Sequence, residues 1–342
     1  MIVFGTDAEG RPELSERDVP EIGPGEALVK VAACGICTSD TLEWYLKKKS
    51  PVVIGHEPAG TIVSLGGSVG HLALGDRVFV HHHAPCLACR FCRRGRYVLC
   101  ETWKRTRLDP GGMAEYVRVP ETNLSRDTLK IPDALPIEAG CLVEPLATVV
   151  KAFSRGRFTS GMSVLVIGLG VMGQMAVALA RRLGASRVFA SDRVKERLEY
   201  AERFGADEVI DVGRRPASSV VAVRTGGAGV DFVFVGPGSI PAMEEGIACA
   251  GPGASVVFFT MAEPGKRLVI EPNAFYFREI DLVSSYSCGP EDTREAMDLI
   301  AGGGFPWRQF ITHRFPLSEA PEAFRKVRQA TDALKVIVEF PA

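Results

Sequence analysis

The chain has 342 residues, of which 46% are hydrophobic and 24% are charged, and its formal net charge is -1. This length favours two domains, and the near-neutral charge gives no reason to expect a nucleic-acid or membrane-surface partner. No apolar run reaches the roughly 18 residues of a membrane span, and the first residues do not resemble a secretory signal. We therefore predict a cytoplasmic protein.

Short apolar segments broken by Gly and Pro dominate the chain up to about residue 148. This pattern is typical of an irregular β domain made of short strands and turns, and no strong helical period is visible there. We predict strands at 27–31, 60–65, 77–80 and 114–119.

From about residue 160 the pattern changes to strands that alternate with helices. Predicted strands lie at 164–167, 187–190, 209–210, 231–235, 255–259 and 280–284, and predicted helices at 172–183 and 195–204. Continuous apolar strands between helices indicate an α/β domain with a doubly wound parallel sheet. The segment from about 288 onward has helices at 290–300 and from Leu317 and a strand at 336–340, and its pattern alone does not assign it to a domain.

A glycine fingerprint of the form G-x-G-x-x-G follows the first of these strands and opens the next helix. In this context the glycines allow a tight turn, a close approach of a pyrophosphate and close packing of helix on strand. The carboxylate at the end of the following strand can bind ribose hydroxyls and repel a 2′-phosphate, which favours NAD over NADP, although the arginine beside it weakens this preference. We predict cofactor contacts by Gly168, Gly170, Val171, Met172, Gly173, Asp192, Arg193 and Arg197.

Four of the nine cysteines, Cys86, Cys89, Cys92 and Cys100, lie in one short loop. Four thiolates suit tetrahedral zinc, and a closed shell of four cysteines leaves no position for a substrate, so we predict a structural zinc site. An iron–sulfur cluster and free thiols are alternatives. Arginines between the cysteines also permit a zinc ribbon that binds nucleic acid.

Cys37, His56, Glu57 and Glu144 could form a second, open metal site. A zinc ion with three protein ligands keeps a position for water or substrate, and it can polarise an alcohol oxygen. Taken separately, the same residues could be a core cysteine, a hydrogen-bonded histidine and surface glutamates. Their distance in the sequence does not by itself join them.

Several motifs together resemble the zinc-containing medium-chain dehydrogenase/reductase family over essentially the whole chain. The matching segments are 35–40 (GICTSD), 55–57 (GHE), 75–78 (GDRV), 112–116 (GMAEY), 144–146 (EPL), the four-cysteine loop and the glycine fingerprint. The glutamate of the EPL segment is similar to the sorbitol and threonine dehydrogenase-like branch. The resemblance implies a GroES-like catalytic domain at 1–148 and 288–342 and a Rossmann domain at 149–287.

The resemblance also implies roles for the residues of the open site. Cys37 and His56 would bind the catalytic zinc, and Glu57 or Glu144 could coordinate it depending on the state of the enzyme. Asp40 would orient the His56 ring.

For proton transfer, the resemblance assigns Ser39 to carry the proton of the zinc-bound alcohol. Relatives often have a histidine at the position of Leu42, so the outer part of the relay needs a water molecule or Glu43 instead.

Three consecutive histidines, 81–83, precede the four-cysteine loop. Composition favours a strand end with exposed histidines. The family resemblance instead places this segment at the substrate pocket, and we predict that His82 or His83 faces the substrate. Lys151, where relatives often have histidine, is a further candidate for contact with substrate or cofactor.

These observations predict a zinc-dependent, NAD-linked dehydrogenase that acts on a secondary alcohol of a small polar substrate such as a polyol, sugar alcohol or amino alcohol. Two zinc ions per chain and a homo-oligomer, dimer or tetramer, are expected. A simple alcohol dehydrogenase, a zinc-free reductase of the same superfamily and the nucleic-acid-binding zinc ribbon are the alternatives. A redox pair of Cys34 and Cys37 is a minor one, and Cys141, Cys249 and Cys288 are expected in the core.

Overall fold

The computed structural model describes residues 1–67, 69–329 and 332–341, without the side chains of residues 44 and 45. The chain forms two compact units. The first comprises residues 1–147, 288–303 and 307–342, and the second comprises residues 148–287 and 304–306. Among the described residues, no helix combines the length and the apolar character that crossing a membrane requires.

Strands and helices occur in both units. The strands are β1 (Ile2–Thr6), β2 (Pro12–Glu16), β3 (Ala27–Gly35), β4 (Val52–Val53), β5 (Glu57–Leu65), β6 (Arg77–Val80), β7 (Tyr116–Val119), β8 (Thr128–Lys130), β9 (Ser163–Ile167), β10 (Arg187–Asp192), β11 (Glu208–Asp211), β12 (Val230–Val235), β13 (Ala250–Phe258), β14 (Asp281–Ser284), β15 (Ile311–Pro316) and β16 (Lys335–Glu339). The α-helices are α1 (Glu43–Lys49), α2 (Glu101–Arg105), α3 (Glu121–Asp127), α4 (Val143–Arg155), α5 (Val171–Arg182), α6 (Lys195–Arg203), α7 (Ala217–Arg224), α8 (Ile240–Cys249), α9 (Pro272–Arg278), α10 (Pro290–Ala301) and α11 (Ala320–Gln329).

The first unit is built on a seven-stranded sheet with the strand order β15-β16-β3-β5-β6-β8, in which β7 also pairs with β3. The four strands predicted in this part of the chain correspond to β3, β5, β6 and β7. Alternate residues of β3 are buried, and Val29 and Val31 pack into the main core of the unit, as a sheet with one covered face requires. A separate three-stranded sheet, β2-β1-β4, was not predicted, since β2 is mostly polar and β4 has only two residues.

The last strand of the chain completes the first unit. β16 lies between β15 and β3 and pairs antiparallel with β3, so that Val338 faces Cys34. The strand predicted at 336–340 is therefore confirmed. Its position assigns this strand, whose domain the sequence pattern left open, to the first unit.

The second unit contains a parallel sheet of six strands in the order β11-β10-β9-β12-β13-β14. The sheet is doubly wound, because the chain runs outward from β9 in one direction and then resumes at β12 in the other. The strands predicted in this part of the chain are confirmed. Val164, Leu165 and Val166 of β9 are fully buried, as expected for a central strand covered on both faces. In such sheets ligands bind at the carboxyl ends of the strands where the order reverses, which here is next to the end of β9.

Helix α4 corrects the expectation that the chain has no strong helix before residue 148. It begins at Val143, and every residue from Val143 to Phe153 is buried. Polar residues recur with helical spacing at 144, 148, 151 and 155, so the sequence does contain a helical period. The predicted domain boundary at residue 148 divides this segment, and neither part alone has enough turns to show the period.

Candidate functional site

Three groups of side chains in the described part of the chain bring possible metal ligands together. Within each group, the ligand atoms lie within 4.8 Å of one another. The groups are Cys86, Cys89, Cys92 and Cys100; Cys37, His56 and Glu57; and His81, His82 and Glu144. All of them belong to the first unit.

The four-cysteine loop gathers its sulfurs without forming a disulfide. The Cys92 sulfur lies 3.5 Å from that of Cys89 and 3.9 Å from that of Cys86. The backbone N–H groups of Ala88 and Cys89 donate to the Cys86 sulfur and lower the pKa of its thiol. Because a metal binds thiolates, this arrangement fits a closed site with four sulfur ligands.

The loop is anchored by a small core of its own. Cys92 and Cys100 are buried against Trp103 and Tyr97. The Tyr97 hydroxyl donates to a carboxylate oxygen of Glu291 in α10, at 2.7 Å. The position of the cluster is therefore fixed by packing of its cysteines on aromatic side chains and by the hydrogen bond of Tyr97. With four sulfur ligands, the cluster offers no open position for a substrate.

The second group lies where strands of the large sheet end. Cys37 follows β3 and precedes a short 3-10 helix, Thr38–Thr41, while His56 precedes β5 and Glu57 is its first residue. Gly35 faces Glu57 across the strand pair, and a Cβ atom at Gly35 would lie 1.9 Å from Oε2 of Glu57. Glycine is therefore required at position 35 for the Glu57 carboxylate to occupy its place.

Asp40 positions the His56 ring. An Asp40 carboxylate oxygen lies 3.3 Å from Nδ1 of His56. Burial lowers the pKa of His56, but the charge of Asp40 and hydrogen bonds to Asp40 and Cys37 outweigh this effect, and the net shift of the pKa is well upward. An imidazole held by a carboxylate through one nitrogen presents the other nitrogen to a metal. Ser39 lies beside this group, and its hydroxyl donates to the Cys37 sulfur at 3.2 Å.

Lys335 is a member of the site that the sequence did not indicate. Its ammonium donates to both carboxylate oxygens of Glu57, at 2.7 and 2.8 Å, and both residues are almost entirely buried. Burial lowers the pKa of Lys335, but the charge of Glu57 and the other interactions that raise it have the larger effect. The net shift of the pKa is therefore upward. The two residues are far apart in the chain, and no local motif links them.

The third group surrounds Glu144, which lies in the first turn of α4 and is buried. His81 belongs to this group, and its Nδ1 lies 2.6 Å from a carboxylate oxygen of the buried Asp127. The other Asp127 oxygen accepts a hydrogen bond from Thr293 at 2.5 Å. The composition-based expectation of exposed histidines at 81–83 is wrong, because His81 and His83 are buried and His82 is half-buried.

The rings of His56, His82 and His83 form a continuous row, which we call the histidine wall. The ring centroids of His56 and His82 are 4.9 Å apart, and those of His82 and His83 are 4.2 Å apart. Burial, followed by the charges of neighbouring histidines, lowers the pKa of His82 well below its ordinary value, and burial lowers that of His83 to about 3. Both rings are therefore neutral at pH 7, and contact of either with a substrate stays a prediction.

The glycine fingerprint has the geometry that its sequence predicts. Gly168 has a φ of +83°, which favours glycine, and a Cβ atom at Gly173 would lie 1.9 Å from the Gly168 carbonyl oxygen. A Cβ atom at Gly170 would meet nothing within 4 Å, so the space above this residue is open. Val171 and Met172 begin helix α5 directly after it, which directs the helix N-terminus to that space.

Asp192 lies at the end of β10 and is buried. One of its carboxylate oxygens accepts a hydrogen bond from the backbone N–H of Leu169 at 2.7 Å, which ties the fingerprint loop to the strand end. The other oxygen accepts one from the backbone N–H of Arg193, and Arg197 lies 3.6 Å from the carboxylate. The predicted cofactor residues of the second unit are thus brought together.

Three other predicted residues have specific positions. Lys151 is buried in the second unit, where its ammonium donates to the Tyr286 carbonyl at 2.8 Å. Leu42 precedes helix α1, and Glu43 forms an exposed ion pair with Arg328 at 2.7 Å.

The remaining cysteines lie in the interior. Cys141, Cys249 and Cys288 are buried, as predicted. Burial also raises the pKa of Cys34 well above its ordinary value, and Cys34 forms no disulfide, which argues against a redox pair with Cys37.

Known proteins share this architecture. The family model of the alcohol dehydrogenase GroES-like domain matches residues 23–133, and the family model of the zinc-binding dehydrogenases matches residues 171–302. The chain is 31% identical to a sorbitol dehydrogenase of Bombyx mori, a match that covers 94% of this chain and 93% of the relative. The chain belongs to the zinc-containing alcohol dehydrogenase family. It is an oxidoreductase that acts on CH–OH groups, and the predicted GroES-like and Rossmann folds are confirmed.

Two further relatives indicate the range of this family. An L-threonine 3-dehydrogenase of Pyrococcus horikoshii is 34% identical, and the match covers 92% of both proteins. A solved structure from Sinorhizobium meliloti 1021, classed as a zinc-binding dehydrogenase and bound to NADP, has a TM-score of 0.86 and 31% identity, and the match covers 99% of each chain. These relatives differ in the substrates or cofactors that they are named for.

Proposed function

We propose that the chain catalyses reversible hydride transfer between NAD and a secondary alcohol of a small polar substrate, with one catalytic and one structural zinc ion. The observation that carries this proposal is the group of Cys37, His56 and Glu57, in which Asp40 holds His56 at Nδ1. A cysteine, a histidine and one carboxylate are a donor set that suits zinc and leaves a fourth position open. A zinc ion there would polarise the alcohol oxygen and lower its pKa.

Glu57 lies with Cys37 and His56, whereas Glu144 lies with His81 and His82, and we propose that Glu144 replaces Glu57 as the third protein ligand when zinc is bound. Both oxygens of Glu57 accept hydrogen bonds from Lys335, which reduces the negative charge that Glu57 can offer to a metal. Glu144 is buried and has no carboxylate–lysine pair among the described residues. Glu144→Gln is therefore expected to lower the zinc affinity of the open site more than Glu57→Gln, as measured by competition with a chelator.

Ser39 is the proposed first acceptor of the substrate proton. Its hydroxyl donates to the Cys37 sulfur at 3.2 Å, so it would lie close to the hydroxyl of a substrate bound at the open position. Leu42 offers no proton acceptor, and Glu43 is committed to Arg328 on the surface. The proton is therefore expected to pass from Ser39 to solvent without Glu43, and Glu43→Gln should leave the rate of alcohol oxidation unchanged.

NAD is the proposed cofactor because Asp192 places a buried carboxylate at the end of β10, beside the fingerprint loop. A carboxylate there accepts ribose hydroxyls and repels a 2′-phosphate. Asp192→Asn removes the charge and keeps only one of the two acceptor oxygens. It is expected to lower the preference for NAD over NADP about 10- to 100-fold, given that a charge-assisted hydrogen bond contributes about 1.5–3 kcal/mol. An unchanged ratio of kcat/KM for the two cofactors would remove the support for NAD.

The proposed substrates are polyols, sugar alcohols or amino alcohols, because the histidine wall beside the open site offers polar groups to neighbouring hydroxyls. His82, His83 and Lys151 are the proposed contacts. A dimer or tetramer and a cytoplasmic location stay predictions.

The experiment that tests this function is a screen of NAD reduction by zinc-loaded protein with polyols, threonine, sugar acids and simple alcohols. We expect a polyol or amino alcohol to be oxidised more efficiently than ethanol or propan-2-ol. Protein that contains two zinc ions per chain but oxidises no alcohol with NAD or NADP would contradict the proposal. Fewer than two zinc ions in active protein would favour the zinc-free alternative.

A further inference from the structure

Arg107 lies at the outer end of the histidine wall, in a position that the proposed reaction does not use. The wall runs from His56 through His82 to His83 by ring contacts below 5 Å. His83 stacks on Trp103 with ring centroids 4.0 Å apart, and the Arg107 guanidinium lies 3.2 Å from Nδ1 of His83. A cationic group therefore lies at the end of a row of rings that begins at His56 in the open site and continues through the neutral rings of His82 and His83.

The local chain fixes the orientation of this guanidinium. Arg107 follows helix α2, and its Nη1 atom donates to the carbonyl oxygens of Lys104 and Thr106, at 2.7 and 2.6 Å. These two bonds use both hydrogens of Nη1. Nε and Nη2 have no hydrogen-bond partner among the described residues, and no carboxylate there forms an ion pair with Arg107. Because the side chain is exposed, these donors can receive a ligand.

His83 adds an acceptor beside this cation. Its Nδ1 atom lies 2.9 Å from the Thr106 carbonyl oxygen, and a carbonyl oxygen can only accept, so Nδ1 carries the proton. The ring is neutral, and Nε2 is therefore left with a free lone pair. A hydroxyl group can donate to Nε2, whereas an anion is repelled by it.

We propose that Arg107 binds an anionic group, a carboxylate or a phosphate monoester, at the far end of a polyol substrate, while His83 accepts a hydrogen bond from one of its hydroxyls. This inference rests on the proposed function, because it places the reacting alcohol at the Cys37–His56 end of the wall. The planar fork of arginine matches the paired oxygens of carboxylates and phosphates. Acidic sugar derivatives are thus the substrate class that the wall selects over neutral polyols.

The test compares sorbitol, sorbitol 6-phosphate and gluconate as ligands and substrates of the zinc-loaded holoenzyme. Three variants are made: Arg107→Gln, which removes the cation; Arg107→Lys, which keeps the charge without the fork; and Arg105→Gln. Arg105 is an exposed arginine at the end of α2, so its replacement changes the net charge equally and serves as the matched control. Thermal unfolding of each variant establishes that the fold is retained.

We expect the wild type to bind at least one of the two anionic compounds more tightly than sorbitol. Arg107→Gln should lower kcat/KM and affinity for that compound about 10- to 100-fold, and leave the values for sorbitol within about twofold. Arg107→Lys should retain part of the preference, and Arg105→Gln should retain it all. The compound that responds identifies the anion as a carboxylate or a phosphate.

The proposal is overturned if the wild type prefers neither anionic compound, or if Arg107→Gln affects sorbitol and the anionic compounds equally. Calorimetry measures binding without turnover, so it separates failure of the anion site from failure of the proposed dehydrogenase function. Protein that oxidises no alcohol, but loses affinity for an anionic polyol in Arg107→Gln, would contradict the dehydrogenase activity and support the anion site. Oxidation of neutral polyols, together with affinities for the anionic compounds that are the same in the wild type and in Arg107→Gln, would give the reverse conclusion.

Discussion

The four-cysteine cluster takes all its ligands from residues 86–100, whereas the Cys37–His56 cluster takes them from the ends of different strands. Backbone N–H groups donate to the sulfurs of the first cluster, so the loop itself stabilises the thiolates. The second cluster depends on two buried charged side chains: Asp40, which follows Cys37 and contacts His56 of another segment, and Lys335, which comes from the last strand. The comparison indicates that the closed site is a local structure, while the open site is a product of the whole first unit.

The largest expected effect follows from removing a ligand of the open site. In Cys37→Ser, kcat/KM for alcohol oxidation should fall about 1,000-fold or more, because Lewis-acid stabilisation is worth several kcal/mol. Zinc content should fall from two ions to one, while NADH binding and the melting temperature stay close to those of the wild type. Undiminished activity in this variant would exclude Cys37 as a ligand.

The matching change in the closed site should affect stability instead of chemistry. Cys89→Ser is expected to lose the second zinc ion and about 5 kcal/mol or more of the local stability of residues 86–100, since metal binding and folding of such loops are coupled. Hydrogen exchange of the loop and metal analysis measure these losses. Cys37→Ser serves as the control, because the loop should remain protected in it. Equal loss of loop protection in both variants would show that the two sites are not independent.

Breaking the ion pair beneath the open site is the third test. Lys335→Met leaves the Glu57 carboxylate buried without its partner, and the free energy of unfolding should fall by about 3–5 kcal/mol. The double variant Lys335→Met/Glu57→Gln removes the unpaired charge and should recover a large part of that loss. Denaturant unfolding measures both values, and a double variant less stable than Lys335→Met would contradict this explanation.

The smallest expected effect concerns pH. Burial lowers the pKa of His83 from 6.5 to about 3, so the unfolded chain takes up a proton below pH 6.5 that the folded chain does not. Stability is therefore fully present above pH 6.5 and is lost as the pH falls toward 3, by about 2 kcal/mol at pH 5 for this group. His83→Phe keeps the stacking on Trp103 and should reduce the loss of unfolding free energy between pH 7 and pH 5 by that amount. His71→Asn, at an exposed histidine, is the control and should not change it.

The features that the sequence predicted correctly are those carried by neighbouring residues. The strand that ends at Ile167, the turn at Gly168 and the start of helix α5 follow from one another within a few residues. The four-cysteine loop is local in the same sense. Such segments keep their geometry wherever they lie in a fold, so a motif and its spacing are enough to recognise them.

The features that were missed depend on contacts between distant segments. Nothing near Lys335 indicates a partner, because its pairing with Glu57 exists only once β16 has joined β3. The burial of His81 likewise depends on Asp127, to which no sequence pattern connects it. Composition therefore suggested exposed histidines. In the structure, however, both ring nitrogens of His81 have hydrogen-bond partners, because Nδ1 lies beside Asp127 and Nε2 lies beside the Cys288 sulfur.

The position of β16 between β15 and β3 has a consequence for the order in which the protein is made on the ribosome. Residues 1–147 are synthesised first, but their large sheet lacks an inner strand until residues 335–339 emerge, after the whole second unit. Until then residues 33–35 of β3 lack their partner strand and Glu57 lacks the ammonium of Lys335. The second unit, which is continuous except for three residues, is therefore expected to reach its native state during translation before the first unit does.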